Sequence, residues 1–246
     1  MPWNAVRKLA RRDQRRARYS GAMTRPRQKA VASWSSGKDS AFALYETQRS
    51  GDFDVVGILT TVTDAYQRVA MHGVRNELLD RQANALGLPC IKVPIPSPCP
   101  NEIYEQEMAR VMHRLRAEGV TAMIFGDLFL EDIRAYREAR LAEVGVQGVF
   151  PLWKRDTRAL AREMVASGLQ ARITCVDPRK LDASFAGRSF DESLLQSLPS
   201  DVDPCGENGE FHTMVTAGPM FRESIEVVLG EVVARDGFVF ADLLPS

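Results

Sequence analysis

"VASWSSGKDSAFALYE", residues 31–46, runs from an apolar segment through a cluster of small and polar residues into a helical pattern. Ligands of parallel α/β sheets bind at the carboxyl ends of the strands, and unpaired N–H groups at a helix start favour an anion such as phosphate. Gly37 permits a close backbone approach, and Lys38 offers a mobile cation. Further donors are the hydroxyl groups of Ser35, Ser36 and Ser40. The stretch therefore predicts a phosphate-binding loop.

Two familiar phosphate loops do not fit this spacing. The pattern G-x-x-x-x-G-K-[ST] would require glycine at Ala32 and a hydroxyl residue at Asp39, and G-x-G-x-x-G finds one of its glycines here. The alternative to a phosphate loop is an ordinary turn, with Ser36 or Asp39 capping the helix. The six residues alone leave both interpretations open.

Outward from this stretch, short apolar segments alternate with helical patterns, which is typical of β-α units and a mostly parallel sheet. The expected fold is α/β, with a Rossmann-like parallel sheet and a smaller C-terminal α/β lobe. The predicted strands of the larger lobe are 30–34, 54–62, 90–95 and 121–125. The apolar positions of three helices follow the first three strands at helical spacing, and one more helix and strand are expected after residue 150.

The chain divides into three predicted segments. Residues 1–30 hold ten Lys and Arg against one acid, which leaves 22 basic and 31 acidic residues in the remainder. Such a composition predicts that residues 1–29 form a disordered extension, although a basic tail also suits nucleic acid or an anionic surface. Residues 30–150 are expected to form the lobe that carries the phosphate-binding loop, and residues 151–246 a smaller lobe whose polar loops supply further binding residues.

Composition narrows the class of protein. The apolar runs are far shorter than the roughly 20 residues needed to cross a bilayer, so we expect no membrane segment and a cytoplasmic location. The four cysteines contain no C-x-x-C pair, and the three histidines are widely separated, which argues against a zinc or disulfide centre. The apolar C-terminal segment FVFADLLPS is expected to pack on the body or on a second subunit, so a homodimer is a candidate assembly.

A second group of candidate residues follows much later in the chain. The block GENGEFHT, residues 206–213, combines two acids with two glycines, which suits cation binding or proton transfer but also describes a solvated turn. Its candidates are Gly206, Glu207, Gly209, Glu210, His212 and Thr213. Asp127 closes an apolar strand at the expected ligand edge. His72 is a lone histidine, for which a purely structural role is the simpler interpretation.

These motifs together resemble a known family. SSGKDS is similar to the S-G-G-x-D-S loop of the PP-loop ATP pyrophosphatases, enzymes that split ATP into AMP and pyrophosphate. The segments RNELLDRQANALGLP, PLW, FAGRSFDESLL and GENGEFHTMVTAGPMF are similar in order and spacing to the diphthine–ammonia ligase family, also called the ATP-binding domain 4 family. The resemblance covers roughly residues 30 to 222.

The resemblance implies an adenine nucleotide hydrolase type of fold and an amide-forming ligase. ATP would activate a carboxylate as an acyl-adenylate, and ammonia would then displace AMP; in the family the carboxylate is that of diphthine on elongation factor 2. It also implies that Ser35, Ser36, Gly37 and Ser40 hold the pyrophosphate portion and that Lys38 neutralises it. Asp39 either places Mg²⁺ or caps the helix. His72 and Asp127 are expected near the nucleotide. Lys38, Asp39, Glu207 and Glu210 are the candidate catalytic residues.

Three features differ from the family pattern. Ser36 stands where the loop has its first glycine, a change that is tolerated if the backbone there does not need a positive φ. His212 replaces an acidic residue of diphthine ligases, and the tract GDLFLEDIRAYRE, residues 126–138, also differs. Two other functions therefore stay open: an RNA-modifying PP-loop enzyme, against which the acidic body argues, and a nucleotide-binding module without turnover.

Overall fold

The computed structural model describes residues 27–63, 68–69 and 72–246. Most of the basic segment 1–29, which we expect to be a disordered extension, lies outside the described residues. No helix in the described part of the chain is long and apolar enough to cross a membrane.

The first lobe is built on a six-stranded sheet, as far as the described residues show. Its strands are β1 (Gln28–Ser33), β2 (Phe53–Thr63), β3 (Arg68–Val69), β4 (Cys90–Ile95), β5 (Val120–Ile124) and β6 (Gln147–Val149). The order is β3-β2-β1-β5-β6, and β4 also pairs with β2. All pairs are parallel except β2 with β3. The prediction of a mostly parallel α/β sheet is confirmed.

Helices connect the strands of the first lobe. They are α1 (Lys38–Ser50), α2 (Asn76–Leu86), α3 (Asn101–Ala117) and α4 (Glu131–Glu143). The first three agree with the apolar patterns in the sequence, and α2 ends at Gly87, whose φ is 66°. Helix α4 was not predicted, because Leu141 is its buried residue and the rest of the helix is charged or exposed.

The second lobe differs from the smaller α/β lobe that we expect from the sequence. Its strands are β7 (Gln170–Val176), β8 (Phe211–Ala217), β9 (Val227–Arg235) and β10 (Phe238–Pro245), in the order β8-β7-β10-β9. Every pair is antiparallel. The helices α5 (Thr157–Ala166) and α6 (Glu192–Ser197) come before β8. Because no described helix separates β8, β9 and β10, the lobe is mainly an antiparallel sheet.

The two lobes share an apolar core. Its buried residues include Ala32 and Leu44 of the first lobe and Leu160 and Met214 of the second. Within this core lies Gln82 of α2, which is fully buried. Its amide oxygen accepts a hydrogen bond from the indole N–H of Trp34 at 3.0 Å, and its amide nitrogen donates to the carbonyl groups of Ser36 and Val215. The lobes therefore pack as neighbours, and the division at residues 150/151 stays a prediction.

The sheet order places a crevice between β1 and β5. The chain leaves β1 toward β2 on one side, whereas β5 lies on the other side of β1. At such a reversal the loops that follow the two strands separate and leave room for a ligand. Here those loops are residues 34–37 and residues 125–130, on which the phosphate-loop candidates and Asp127 lie.

Candidate functional site

A cavity of about 240 Å³ occupies this crevice. Residues from both lobes line it, namely Ser33, Ser35, Lys38, Asp39, Ser40, His72, Phe125, Gly126, Asp127, Arg137, Gly206, Glu207, Phe211, His212 and Thr213. The two sequence motifs, 35–40 and 206–213, therefore meet at one cavity although about 170 residues separate them in the chain.

The loop after β1 has a strained backbone at Ser36, where φ is +70°. The condition under which we expect serine to be tolerated there, a backbone without positive φ, is therefore not met. Ser36 is fully buried, and its hydroxyl group has no hydrogen-bond partner. Its carbonyl group accepts hydrogen bonds from the N–H of Val215 at 2.9 Å and from Gln82. Ser36 thus contacts the second lobe and does not line the cavity.

The start of α1 is fixed from the second lobe. Gly37 is the N-cap residue, and no side chain caps the helix from that position. Instead, the N–H of Lys38 donates to the hydroxyl oxygen of Thr213 on β8, at 3.1 Å. The alternative in which Ser36 or Asp39 caps the helix is therefore wrong. A Cβ on Gly37 would lie 2.9 Å from the His72 ring, so a glycine is needed for this packing.

Lys38 is buried and held by several partners. Its ammonium group donates to both carboxylate oxygens of Asp39, at 2.8 Å each, and to the carbonyl oxygen of Cys205. The rings of Phe190 and Phe211 lie 5.5 Å from it. Burial lowers the pKa of Lys38, but the Asp39 carboxylate, together with Cys205 and Glu207, more than offsets burial and raises that pKa above its usual value. Lys38 is therefore a fixed cation and not the mobile one that we expect from the sequence.

Three carboxyl groups line the cavity. Asp39 faces Lys38, and Glu207 accepts a hydrogen bond from the N–H of Leu128 at 2.7 Å, which ties the 206–213 block to the loop after β5. Burial, with the nearby charges of Asp39 and Asp127, raises the pKa of Glu207 to about 7. Burial also raises the pKa of Asp127. One proton can thus bind in this cluster near neutral pH.

The glycine beside Asp127 allows the two loops to touch. A Cβ on Gly126 would lie 2.6 Å from the carbonyl carbon of Asp39, which is a backbone atom that cannot move aside easily. The loop after β5 can therefore approach the start of α1 this closely only because residue 126 has no side chain.

His72 and His212 lie together at one wall. Their ring centres are 4.7 Å apart, and Nδ1 of His72 lies 3.1 Å from the carbonyl oxygen of Thr213. Burial lowers the pKa of His72 to about 4 and that of His212 to about 3. Both rings are therefore neutral at pH 7. A neutral His72 that donates from Nδ1 presents its other nitrogen as an acceptor.

Besides Ser36 and Gly37, the predicted residues Glu210 and Gly209 do not line the cavity. Glu210 is buried, and one of its carboxylate oxygens accepts hydrogen bonds from the N–H of Asp203 and the side chain of Asn208, both at 3.1 Å. It supports the turn that carries Glu207. Gly209 has a φ of +80° within the same turn, which glycine adopts without strain.

Sequence reasoning missed one charged residue of the site. Arg137, on α4, lines the cavity, with Nε 3.2 Å from Oδ2 of Asp127. The sequence marks Arg137 only weakly as a site residue, because it is one of several arginines in a helix with little apolar pattern.

The side chains that could bind a metal ion are the next feature of the cavity. In the described residues, no group of three or more His, Cys, Asp and Glu side chains is arranged to hold a metal ion. Asp39, the predicted ligand, has both oxygens engaged by Lys38. The carboxylates at this cavity are nevertheless of the type that suits Mg²⁺, which usually takes one or two protein carboxylates and completes its shell with phosphate oxygens and water.

The mostly parallel sheet, with a loop at its β1–β5 crevice, is consistent with a Rossmann-like PP-loop domain. Residues 28–148 match the family model described as the diphthamide synthase N-terminal domain, and residues 156–240 match that of the diphthamide synthase C-terminal domain. The chain therefore belongs to the diphthamide synthase, or diphthine–ammonia ligase, family.

Individual relatives agree with this assignment. The chain is 27% identical over 231 residues to the diphthine–ammonia ligase of Danio rerio, a match that covers 84% of this chain and 89% of the relative. The Bos taurus ligase is 26% identical over 233 residues, which is 84% of this chain and 85% of the relative. The Homo sapiens ligase is 30% identical over 146 residues, or 57% and 53% of the two chains. The expected class, an ATP-dependent amide-forming ligase, is confirmed.

Replacing Ser36 with glycine should stabilise the protein. Ser36→Gly removes the cost of a positive φ and an unpaired buried hydroxyl, so we expect the free energy of unfolding to rise by about 1 kcal/mol. Ser33→Gly in extended strand β1 is the control, and it should lower that free energy by about 0.5–1 kcal/mol. Urea unfolding measures both. A loss of stability in Ser36→Gly would contradict the strain argument.

Glu207 should make stability fall as the pH rises. Because its folded pKa lies near 7 and that of the unfolded chain near 4.5, the folded state binds the extra proton between these pH values. Glu207→Gln removes the free-energy cost of ionising this carboxyl group in the folded protein. Its stability relative to the native protein should therefore improve between pH 5 and pH 8, by on the order of 1–2 kcal/mol because solvent screens a partly exposed group.

Urea unfolding at several pH values tests this dependence. Glu223→Gln, at an exposed position, is the matched control and should show no such trend. A constant difference between Glu207→Gln and the native protein across the pH range would refute the raised pKa.

Proposed function

We propose that this protein binds ATP in the crevice, joins a carboxylate to AMP with release of pyrophosphate, and transfers the acyl group to ammonia. The substrate is proposed to be the carboxylate of diphthine, as the names of the relatives indicate for those proteins. The single observation that carries the proposal is the convergence of the 35–40 loop and the 206–213 block on one cavity.

The phosphates are proposed to lie against the start of α1. Ser35 and Ser40 line the cavity, and their hydroxyl oxygens are 3.2 Å apart, so both can turn toward a phosphate oxygen. The helix terminus adds partial positive charge there. Lys38 contributes the fixed positive charge behind the loop.

The charges of the cavity favour a divalent cation as cofactor. Each of the two cations that line it, Lys38 and Arg137, already lies beside an acid, Asp39 or Asp127. A polyphosphate that enters such a balanced site needs further positive charge, because its negative charges repel one another strongly where water is excluded. Mg²⁺ would supply that charge when bound, and Asp39 and Asp127 are the proposed ligands.

The chemical sequence uses groups of this cavity. An oxygen of the substrate carboxylate bonds to the α-phosphorus, and the bond from that phosphorus to pyrophosphate breaks. Ammonia then bonds to the acyl carbon, AMP leaves with the electrons of the C–O bond, and one proton is lost from nitrogen. Glu207 is the proposed acceptor of that proton, because a carboxyl with a pKa of about 7 exchanges protons readily at neutral pH. Glu210 is proposed to position Glu207.

The other candidate functions have less support. Family membership does not favour RNA modification. A nucleotide-binding module without turnover would not require a carboxyl group of raised pKa beside the phosphate loop. The cytoplasmic location expected from the sequence stays a prediction.

A homodimer is proposed through the edge strand β9. Its side chains Val228, Leu229, Val232 and Val233 are 43–50% exposed. β9 ends the sheet order, and such edges pair readily with another strand. Antiparallel pairing of two copies about Val233 would set Glu231 of each copy opposite Arg235 of the other, which is a favourable cross-strand pair.

Light scattering should give the mass of a dimer for the native protein and of a monomer for Val232→Lys. Lysine at this position would place two like charges at the interface. Ile103→Lys, at an exposed apolar position on α3, is the control and should remain a dimer. A native monomer would refute the assembly.

With ATP and the carboxylate alone, the protein should release at most about one pyrophosphate per active site, because adenylation precedes the attack of ammonia. Continuous release of AMP and pyrophosphate should require ammonia as well. Asp39→Asn and Glu207→Gln should each lower the rate of pyrophosphate release by about 100-fold or more, because each removes a charged group from the reacting region. Asp52→Asn, at an exposed position beyond the other end of α1, is the control and should retain the native rate. Release of ADP and phosphate would contradict the proposal.

A further inference from the structure

Arg137 stands at the junction of two cavities. It lines the crevice and also an apolar cavity of about 300 Å³ between α3 and α4. Its guanidinium carbon lies 4.6 Å from the centre of the Phe125 ring, an arrangement that fixes the plane of the group. Phe125 directly follows β5, so the guanidinium group is held at the carboxyl edge of the sheet, where it lines the crevice.

The hydrogen bonds of the two cations differ. The ammonium of Lys38 has three N–H groups, and the carboxylate of Asp39 and the carbonyl of Cys205 accept all of them. Arg137 has five N–H groups, and its ion pair with Asp127 involves one of them, the N–H of Nε. Its Nε is buried without a hydrogen-bond partner, although Asp127 lies beside it, and Oδ2 of Asp127 is likewise unpaired.

The contact between Arg137 and Asp127 is therefore an ion pair with poor hydrogen-bond geometry. Nε and Oδ2 are 3.2 Å apart, which is close enough for attraction, but the N–H does not point at the oxygen. Two buried polar atoms that remain unsatisfied are costly. A ligand with acceptor oxygens placed between the loops would bind the guanidinium N–H groups other than the one beside Asp127.

We propose that Arg137 binds the phosphate chain of ATP and stabilises the pyrophosphate that leaves. This inference rests on the proposed function and adds a catalytic residue to it. As the bond from the α-phosphorus to the bridging oxygen breaks, its electron pair goes to pyrophosphate, and negative charge grows there. A fixed guanidinium group at that position lowers the barrier without having to reorganise. Its planar donors also match two phosphate oxygens at once, which an ammonium group cannot do.

Arg137 does not belong to the loop that this chain shares with its family. It lies in the tract of residues 126–138, where this chain differs from the diphthine ligases that it resembles. Lys38, by contrast, belongs to the shared loop and has no N–H group to spare. Arg137 is thus the cation, of the two that line the crevice, that can bind a phosphate without first losing a hydrogen bond.

Calorimetric titration of the full chain with pyrophosphate, ATP and AMP, each with MgCl₂, tests the inference. Arg137→Gln should weaken the binding of pyrophosphate and of ATP at least tenfold, and that of AMP less than twofold, because AMP lacks the leaving phosphates. Arg140→Gln is the matched control: Arg140 lies on the same helix, lines the apolar cavity and pairs with Glu105. It should bind all three ligands as the native protein does.

Arg137→Lys separates charge from geometry, and it serves as the second variant if Arg137→Gln does not fold. It should restore part of the ATP affinity but leave the kcat of pyrophosphate release at least tenfold below native, because lysine cannot bind two oxygens in one plane. Native ATP affinity in Arg137→Gln, or native kcat in Arg137→Lys, would overturn the inference and leave the proposed function intact. Failure of the native protein itself to bind ATP would instead refute the proposed function.

Discussion

The hydrogen bond from the N–H of Lys38 to the hydroxyl of Thr213 is the interaction on which the site depends. A helix start normally takes its cap from a residue just before it, but here the cap comes from the antiparallel sheet of the second lobe. The N–H of Val215 and the carbonyl of Ser36 add a second link between β8 and the loop. The start of α1 and the loop before it are therefore held by hydrogen bonds to the second lobe.

This dependence explains why the two motifs occur together. The glycines and acids of the 206–213 block shape a turn, in which Gly206 has a φ of +69° and a Cβ there would lie 2.8 Å from the carbonyl oxygen of Phe211. The turn directs Glu207 into the crevice and leads into β8, which carries Thr213. One acid of the block thus faces the ligand region, and the other, Glu210, braces the backbone behind it.

The sequence predicted the elements whose apolar pattern is strong. Strands β1, β2, β4 and β5 were predicted within a few residues of their observed bounds, and helices α1 to α3 contain the apolar positions that the sequence predicted, because burial sets the side-chain spacing of these elements. The antiparallel second sheet was not expected, since β9 is exposed on both faces and has no alternating pattern. The cap by Thr213, the positive φ of Ser36 and the approach of Arg137 arise from tertiary packing, which local patterns do not contain.

The balance of charge gives the site its chemical character. The cavity contains two ion pairs, Lys38 with Asp39 and Arg137 with Asp127, and the charges cancel within each pair. Glu207 is the third carboxyl group. His72 and His212 stay neutral. An anion therefore gains little from net charge and must gain from donors that are already aimed at it. Donors that are fixed in place stabilise the transition state, in which negative charge grows on the leaving pyrophosphate, more than they stabilise bound ATP. Cleavage of ATP at its α-phosphorus requires this difference.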